Sequence, residues 1–226
     1  MSKKKNNSKS PATSVNSPSK TPPQYAASKK AILPTIPRFD WLKHRPSLLI
    51  LSILAIGLYA QSLSFGYVLD DTMVIEKNQF VQKGFDGIGD IFRFESFRGY
   101  FGEQKQLLEG DRYRPFSLAT FAAEIGLFGK GKTFFGHFIN LLLYALTAIL
   151  LYRVLLFMFP KEEETASNIE TSNFKLQTFL SIPFLATLLF IAHPLHVEVV
   201  ANIKGRDEIL ALLGELSALY FTFKYI

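Results

Sequence analysis

The chain has 226 residues, 48% of them hydrophobic and 14% aromatic, with 22 Phe, one Trp and no Cys. Its apolar residues gather into long runs between polar stretches, a membrane pattern rather than a soluble one. Disulfides and thiolate metal sites are excluded. The net charge of +6 is unevenly placed: residues 1–46 carry ten basic side chains against Asp40 alone, a balance of +9, and the remainder fifteen against eighteen acids, a balance of −3. The basic arm has almost no aromatics and no basic helix face, so nucleic acid is not an expected partner. The positive-inside rule keeps such an arm on the cytoplasmic side.

In chain order, residues 1–46 read as a disordered cytoplasmic tail, too polar to bury the surface that ordering requires. A first span is expected over 47–65, around LLILSILAIGLYAQSLSF. It is longer than a signal core, and Leu58 and Ala60 make no small-x-small cleavage site, so it reads as an uncleaved anchor. Residues 66–132 form an extracytoplasmic loop long enough to be ordered and functional. Two surface helices are expected in it, Gly87 to Phe94 and Pro115 to Phe128, with Pro115 at a first helical position. In the second, Phe116, Leu118, Ala119, Ala122, Ile125 and Leu127 suit a half-immersed helix.

A second span is expected over 133–159, with His137 and Asn140 near its outer end and Arg153 snorkelling near its inner end. A cytoplasmic linker covers 160–175. A third span covers 176–192, kinked by Pro183. An extracytoplasmic connection covers 193–208. A fourth span, 209–226, is still running at Ile226, as expected for the N-terminal part of a larger protein. The fold class is thus all-α polytopic membrane protein, with transmembrane helices and a long, partly helical first outer loop.

Span parity puts the first outer loop and the 193–208 connection on one side. Ionisable residues are costly near a bilayer, and their clustering there points to function. Asp70 and Asp71 could act as a general base and its partner, or simply form a turn or cap. Arg112 and Arg114, beside a helix start, could hold a phosphate or anchor lipid headgroups. His193, His196 and Glu198 have metal-ligand composition without the HExxH spacing of zinc peptidases. With the two His three apart on one helix face, hydrogen bonding to substrate or plain interface packing are the other readings. Lys204-Gly205-Arg206-Asp207-Glu208 reads as a turn and a helix start, and Arg206 is a second phosphate candidate. Glu215, inside the fourth span, either lines a cavity or bonds across a helix interface. No Gly-rich phosphate loop, Walker sequence or GxSxG occurs, so a nucleotide-using soluble active site is not supported.

The ordered set Phe65-Gly66-Tyr67-Val68-Leu69-Asp70-Asp71, Ile75, Asn78, Tyr113-Arg114-Pro115, His137 with Asn140, and HPLHVEVVANIKGRDE from His193 to Glu208 resembles one family. It is the multi-spanning O-mannosyltransferases with C-terminal tetratricopeptide repeats, within the GT-C class of lipid-phosphosugar glycosyltransferases. The resemblance covers about residues 60 to 210. It implies Asp70 as base with Asp71 as partner. It also implies a polyprenyl or dolichyl phosphate mannose donor, attacked with inversion by a Ser or Thr hydroxyl of a protein acceptor. The lipid-phosphate ligands are then expected among Arg112, Arg114, Lys204 and Arg206, and His193, His196 and Glu198 complete the pocket. A divalent metal cofactor is left open. The site would lie outside the cytoplasm, in a bacterial inner membrane or the ER membrane. A non-catalytic scaffold anchoring a repeat domain, or a transporter using Glu215 and the His pair, are the alternatives.

Overall fold

The computed structural model describes residues 41–102, 113–159 and 179–225. The described residues all fall within Ile36–Ile226. Residues 1–40 of the tail, the 160–175 linker, the first residues expected in the third span, and Arg112 lie outside them, while residues 41–46, expected to be disordered tail, are helical.

Every described element is helical. Helix α1, Trp41–Tyr59, runs into a 3₁₀ turn, Ala60–Ser64. It starts six residues before the expected edge of the first span and holds Pro46 inside it. The outer loop contains a π turn, Thr72–Glu76, then α2, Gln79–Gln82, α3, Ile88–Arg93, and α4, Arg98–Phe101. Helix α5 is Pro115–Phe128, with proline in its first turn where no backbone N–H is needed. Helices α6, Thr133–Met158, α7, Ile182–Ile191, α8, His196–Ala201, and α9, Arg206–Tyr225, follow.

Two helices are long and apolar enough to cross a membrane, Leu42–Ser64 with 23 residues and Thr133–Met158 with 26. At 1.5 Å per residue both exceed the ~30 Å hydrocarbon core. Residues 176–178 of the expected third span lie outside the described residues, and within those described neither α7 nor α9 is among these two helices. Helix α7 has ten residues, about half the core thickness. Pro183 sits in its first turn and starts it rather than kinking it. Helix α9 carries Asp207, Glu208, Glu215 and Lys224, and its 20 residues do not form an apolar run of spanning quality.

Helix α6 is the axis of the larger core. It packs on α1, α7 and α9, burying Leu51, Ala55, Leu141, Ala145, Ala148, Tyr152 and Ile191. The outer loop builds a second core. Val74, Ile75, Val81 and Ile91 close over Leu118, Phe121, Ala122 and Ile125 of α5, with Ile203 reaching in from the far connection. The inner face of α5 is therefore packed on protein, while Phe116 and Leu127 are exposed on its other side. Asn78 organises the loop from a fully buried position. It caps α2 by accepting from the N–H groups of Phe80 and Val81 at 3.1 and 3.3 Å, and donates to the Ser96 carbonyl at 3.0 Å.

Candidate functional site

The two carboxylates of the outer loop have different fates. Asp71 is fully buried. Its Oδ1 accepts the Lys204 backbone N–H at 2.7 Å, and its Oδ2 accepts the Val68 N–H at 3.2 Å. Burial pushes its carboxyl above the usual aspartate range, against the opposing pull of these backbone donors. Asp71 thus ties the outer loop to the turn before α9. Asp70, one residue earlier, is exposed, with the Lys204 ammonium at 3.8 Å. Leu69 precedes it with φ of 45°, in the left-handed region that a branched side chain rarely adopts. The turn is held there by the Asp71 N–H on the Val68 carbonyl at 2.9 Å and the Thr72 N–H on the Leu69 carbonyl at 3.3 Å.

Lys204 stands between two acids, its ammonium also 3.8 Å from Asp207. Arg114 donates to Asp207 and, at 3.2 Å, to Glu208. Its backbone N–H donates to Ser96 Oγ at 2.9 Å, so the Asn78–Ser96 contact also sets the Arg114 position. Asp70, Arg114, Lys204, Asp207 and Glu208 form one charged cluster where the outer loop meets the 193–208 connection, with Asp70, Arg114 and Glu208 exposed, Lys204 half-buried and the Asp207 side chain nearly buried. A turn at Asn202–Gly205 brings Lys204 there. A side chain at Gly205 would run into the Val199 carbonyl at 2.0 Å, so only glycine allows the chain to pass.

Arg206 has another place. It is fully buried. It donates to Asn140 Oδ1 at 2.8 Å, Thr120 Oγ1 at 3.2 Å, Glu124 Oε2 at 2.9 Å and the Gly136 carbonyl at 3.0 Å. Its guanidinium carbon lies 4.5 Å from the Phe121 ring centre. Its donors are engaged by protein, so here it presents no fork to a phosphate. It instead locks α5, α6 and α9 together. Burial pushes the Glu124 carboxyl up while Arg206 pulls it down.

The HPLH segment is arranged differently from the expected shared helix face. Helix α8 begins at His196, and His193 lies before it, exposed, its Nδ1 accepting the Leu195 N–H at 3.3 Å. The two rings are 5.9 Å apart. His196 Nδ1 is 3.0 Å from the Tyr144 hydroxyl, and its ring lies on Phe190 with centres 4.3 Å apart. Burial pushes the His196 imidazole below its ordinary value. The hydroxyls of Tyr59 and Tyr144 both donate to the Ile191 carbonyl at 3.2 Å, satisfying the end of α7. A recess of about 220 Å³ is lined by His196, Tyr144, Phe190 and Glu208, among others. Glu208 joins it to the charged cluster through Arg114. Glu198 and Glu215 are both exposed. Among the described residues no three His, Asp or Glu side chains converge as a metal set. Asp71 is committed to backbone N–H groups and Asp207 to Arg114, so these residues do not fit a resident divalent ion.

With this geometry in view, sequence comparison finds curated relatives that share one name. A protein O-mannosyl-transferase of Caenorhabditis elegans, F38B6.6, is 30% identical over 174 residues, covering 76% of this chain and 22% of the relative. The human protein O-mannosyl-transferase TMTC4 is 28% identical over 185 residues, covering 80% of this chain and 23% of the relative. The chain is similar in sequence to the protein O-mannosyl-transferases. Human protein O-mannosyl-transferase TMTC1 is a further match, 29% identical over 155 residues, 69% of this chain and 15% of its own length. The chain thus spans less than a quarter of the length of these O-mannosyl-transferases. No family profile matches it, and no solved structure does.

Residue patterns alone did not single out Thr120, Glu124, Tyr59 or Tyr144. Glu124 had a usable signal as the sole acid in the apolar helix PFSLATFAAEIGLF, since a lone buried carboxylate needs a cation. Tyr144 had one in its spacing from His137 and Asn140 along α6.

Proposed function

We propose that this chain carries the active end of a membrane glycosyltransferase that moves mannose from a polyprenyl or dolichyl phosphate to a Ser or Thr hydroxyl of a protein. In this reading the N-terminus is cytoplasmic and the Asp70 cluster faces the lumen or periplasm. The observation that supports it most is the division of labour between adjacent carboxylates. Asp71 is buried and fastened by backbone donors, and Asp70 is exposed beside a lysine 3.8 Å away.

Asp70 accepts the proton of the acceptor hydroxyl as its oxygen attacks the sugar C1 from the face opposite the phosphate. The C1–O bond to phosphate breaks, the electron pair leaves with the lipid phosphate, and the configuration inverts. Lys204 is the favoured cation for the departing charge, because its contacts to Asp70 and Asp207 are looser than the Arg114 contacts to Asp207 and Glu208. Arg114 joins once phosphate competes for it. Asp71 acts as a positioning residue.

The test uses purified full-length protein in lipid nanodiscs with dolichyl phosphate mannose and an acceptor. Asp70→Asn should lower kcat by roughly 10² to 10⁴, the usual worth of a positioned base. Transfer undiminished in that variant would overturn the assignment. If the wild type transfers from no lipid-linked mannose, the scaffold reading takes its place.

A further inference from the structure

Helix α6 carries a polar stripe that this chemistry does not use. His137, Asn140 and Tyr144 recur at spacings of three and four, the repeat of one helix face. Two of the three hold a loop by its backbone. Asn140 donates to the carbonyls of Asn202 at 2.8 Å and Ile203 at 3.2 Å, and Tyr144 to that of Ile191 at 3.2 Å. His137, nearest the outer end, faces the start of the first outer loop. The Phe65 ring meets its imidazole edge-on with centres 6.3 Å apart.

His137 is fully buried. The Phe65 and Gly66 backbone lies within hydrogen-bonding reach of its ring, yet neither nitrogen makes a hydrogen bond of good distance and angle. Buried polar groups are nearly always partnered, and one left open is costly. The loop it faces also holds the strained Leu69, whose side chain is 83% exposed.

We propose that His137 is the positioning residue of the Asp70-bearing segment. When donor draws the segment inward, a His137 ring N–H closes onto the Phe65–Gly66 backbone, and through Leu69 this sets where the Asp70 carboxylate points. The inference rests on Asp70 being the base.

Full-length protein in nanodiscs, as wild type, His137→Phe and His137→Gln, provides the test. Two quantities are read: kcat and KM for dolichyl phosphate mannose, and hydrogen–deuterium exchange over residues 65–76 against residues 189–196. His137→Phe keeps the volume but has no donor. It should lower kcat by roughly 10²-fold, the scale of a small misplacement of a reacting group, with KM little changed. Exchange should rise in 65–76 and stay unchanged around Ile191, which Tyr144 holds. His137→Gln, whose amide can donate from a similar place, should restore most of kcat and the protection. Wild-type kcat and exchange in His137→Phe would overturn the proposal. So would equal losses in both variants with exchange raised throughout the protein, because His137 would then be packing alone. If no lipid-linked mannose is transferred even by wild type, the transferase reading fails, and the exchange comparison still decides whether His137 holds the loop.

Discussion

The bundle around α6 and the small core under α5 solve opposite problems. The bundle shows apolar side chains outward as well as inward, with Leu49, Ile53, Leu142 and Leu146 exposed around a core of Leu51, Ala55 and Ala148. Lipid is the natural solvent for that surface. Its polar side chains at the outer end are retained where they satisfy a loop, as Tyr59 and Tyr144 do at Ile191. The outer-loop core is amphipathic, with Phe121 and Ile91 inside and Lys83 and Asp90 outside. It is locked to the bundle by a buried cation, Arg206, shared among α5, α6 and α9, beside the Asp71 carboxylate on the Lys204 N–H. The first region is held by shape and the second is joined to it by charge, so the two should fail differently.

The largest effect on stability is expected at the joint. Arg206→Met leaves the largely buried Glu124 without its cation and should cost roughly 3 to 5 kcal/mol, read by denaturant or thermal unfolding of the full-length protein. Adding Glu124→Leu should recover most of the loss, since removing both charges is far gentler than removing one. A single variant as stable as wild type would mean that Arg206 is not the joint.

A smaller effect is expected in the bundle. Tyr144→Phe keeps the ring and loses the bonds to Ile191 and His196, for about 1 kcal/mol. A loss as large as that of Arg206→Met would show that the bundle also depends on a polar lock.

The pH response sharpens the contrast again. Burial holds His196 below its ordinary value near 6.5. The fold therefore prefers the neutral ring, and this contribution is complete above about pH 6.5. It is lost as pH falls from there through the folded value, because the unfolded chain takes up the proton first. Asp71 works in the other sense. Its carboxyl is raised above the ordinary 3.8, so its contribution is complete below that value and lost as pH rises through the folded one. Unfolding temperature against pH should lose the first slope in His196→Asn and keep it in Asp71→Asn. The same slope in all three proteins would remove His196 from the account.

The least effect belongs to the outer surface of the loop unit. Lys83 and Asp90 pair at 2.8 Å with side chains 52% and 35% exposed. Lys83→Ala should change stability by less than about 1 kcal/mol, and a larger loss would mean that the small core leans on its surface charges.

Much of this organisation is legible in residue order. The apolar runs place α1 and α6, Pro115 places the start of α5, and the Asp70–Asp71 doublet and the Lys204–Glu208 string mark the two segments that meet. Local pattern determines these features because an apolar run of some twenty residues, a proline or a doublet carries its physics with it. The different fates of like residues are not legible in this way. Asp70 and Asp71 are neighbours of one type, yet the turn through Leu69 leaves one beside Lys204 in the open and seats the other on two backbone donors. Arg114 and Arg206 looked alike as phosphate ligands, and Glu124 on a distant helix pairs with one of them out of solvent. His193 and His196 looked like one helix face, and the start of α8 separates them. Burial and partners come from segments far apart in the chain, here 62 to 133 residues in the contacts of Asn140, Arg206 and Asp71. A desolvated charge is decided by what surrounds it, and only the folded chain supplies the surroundings.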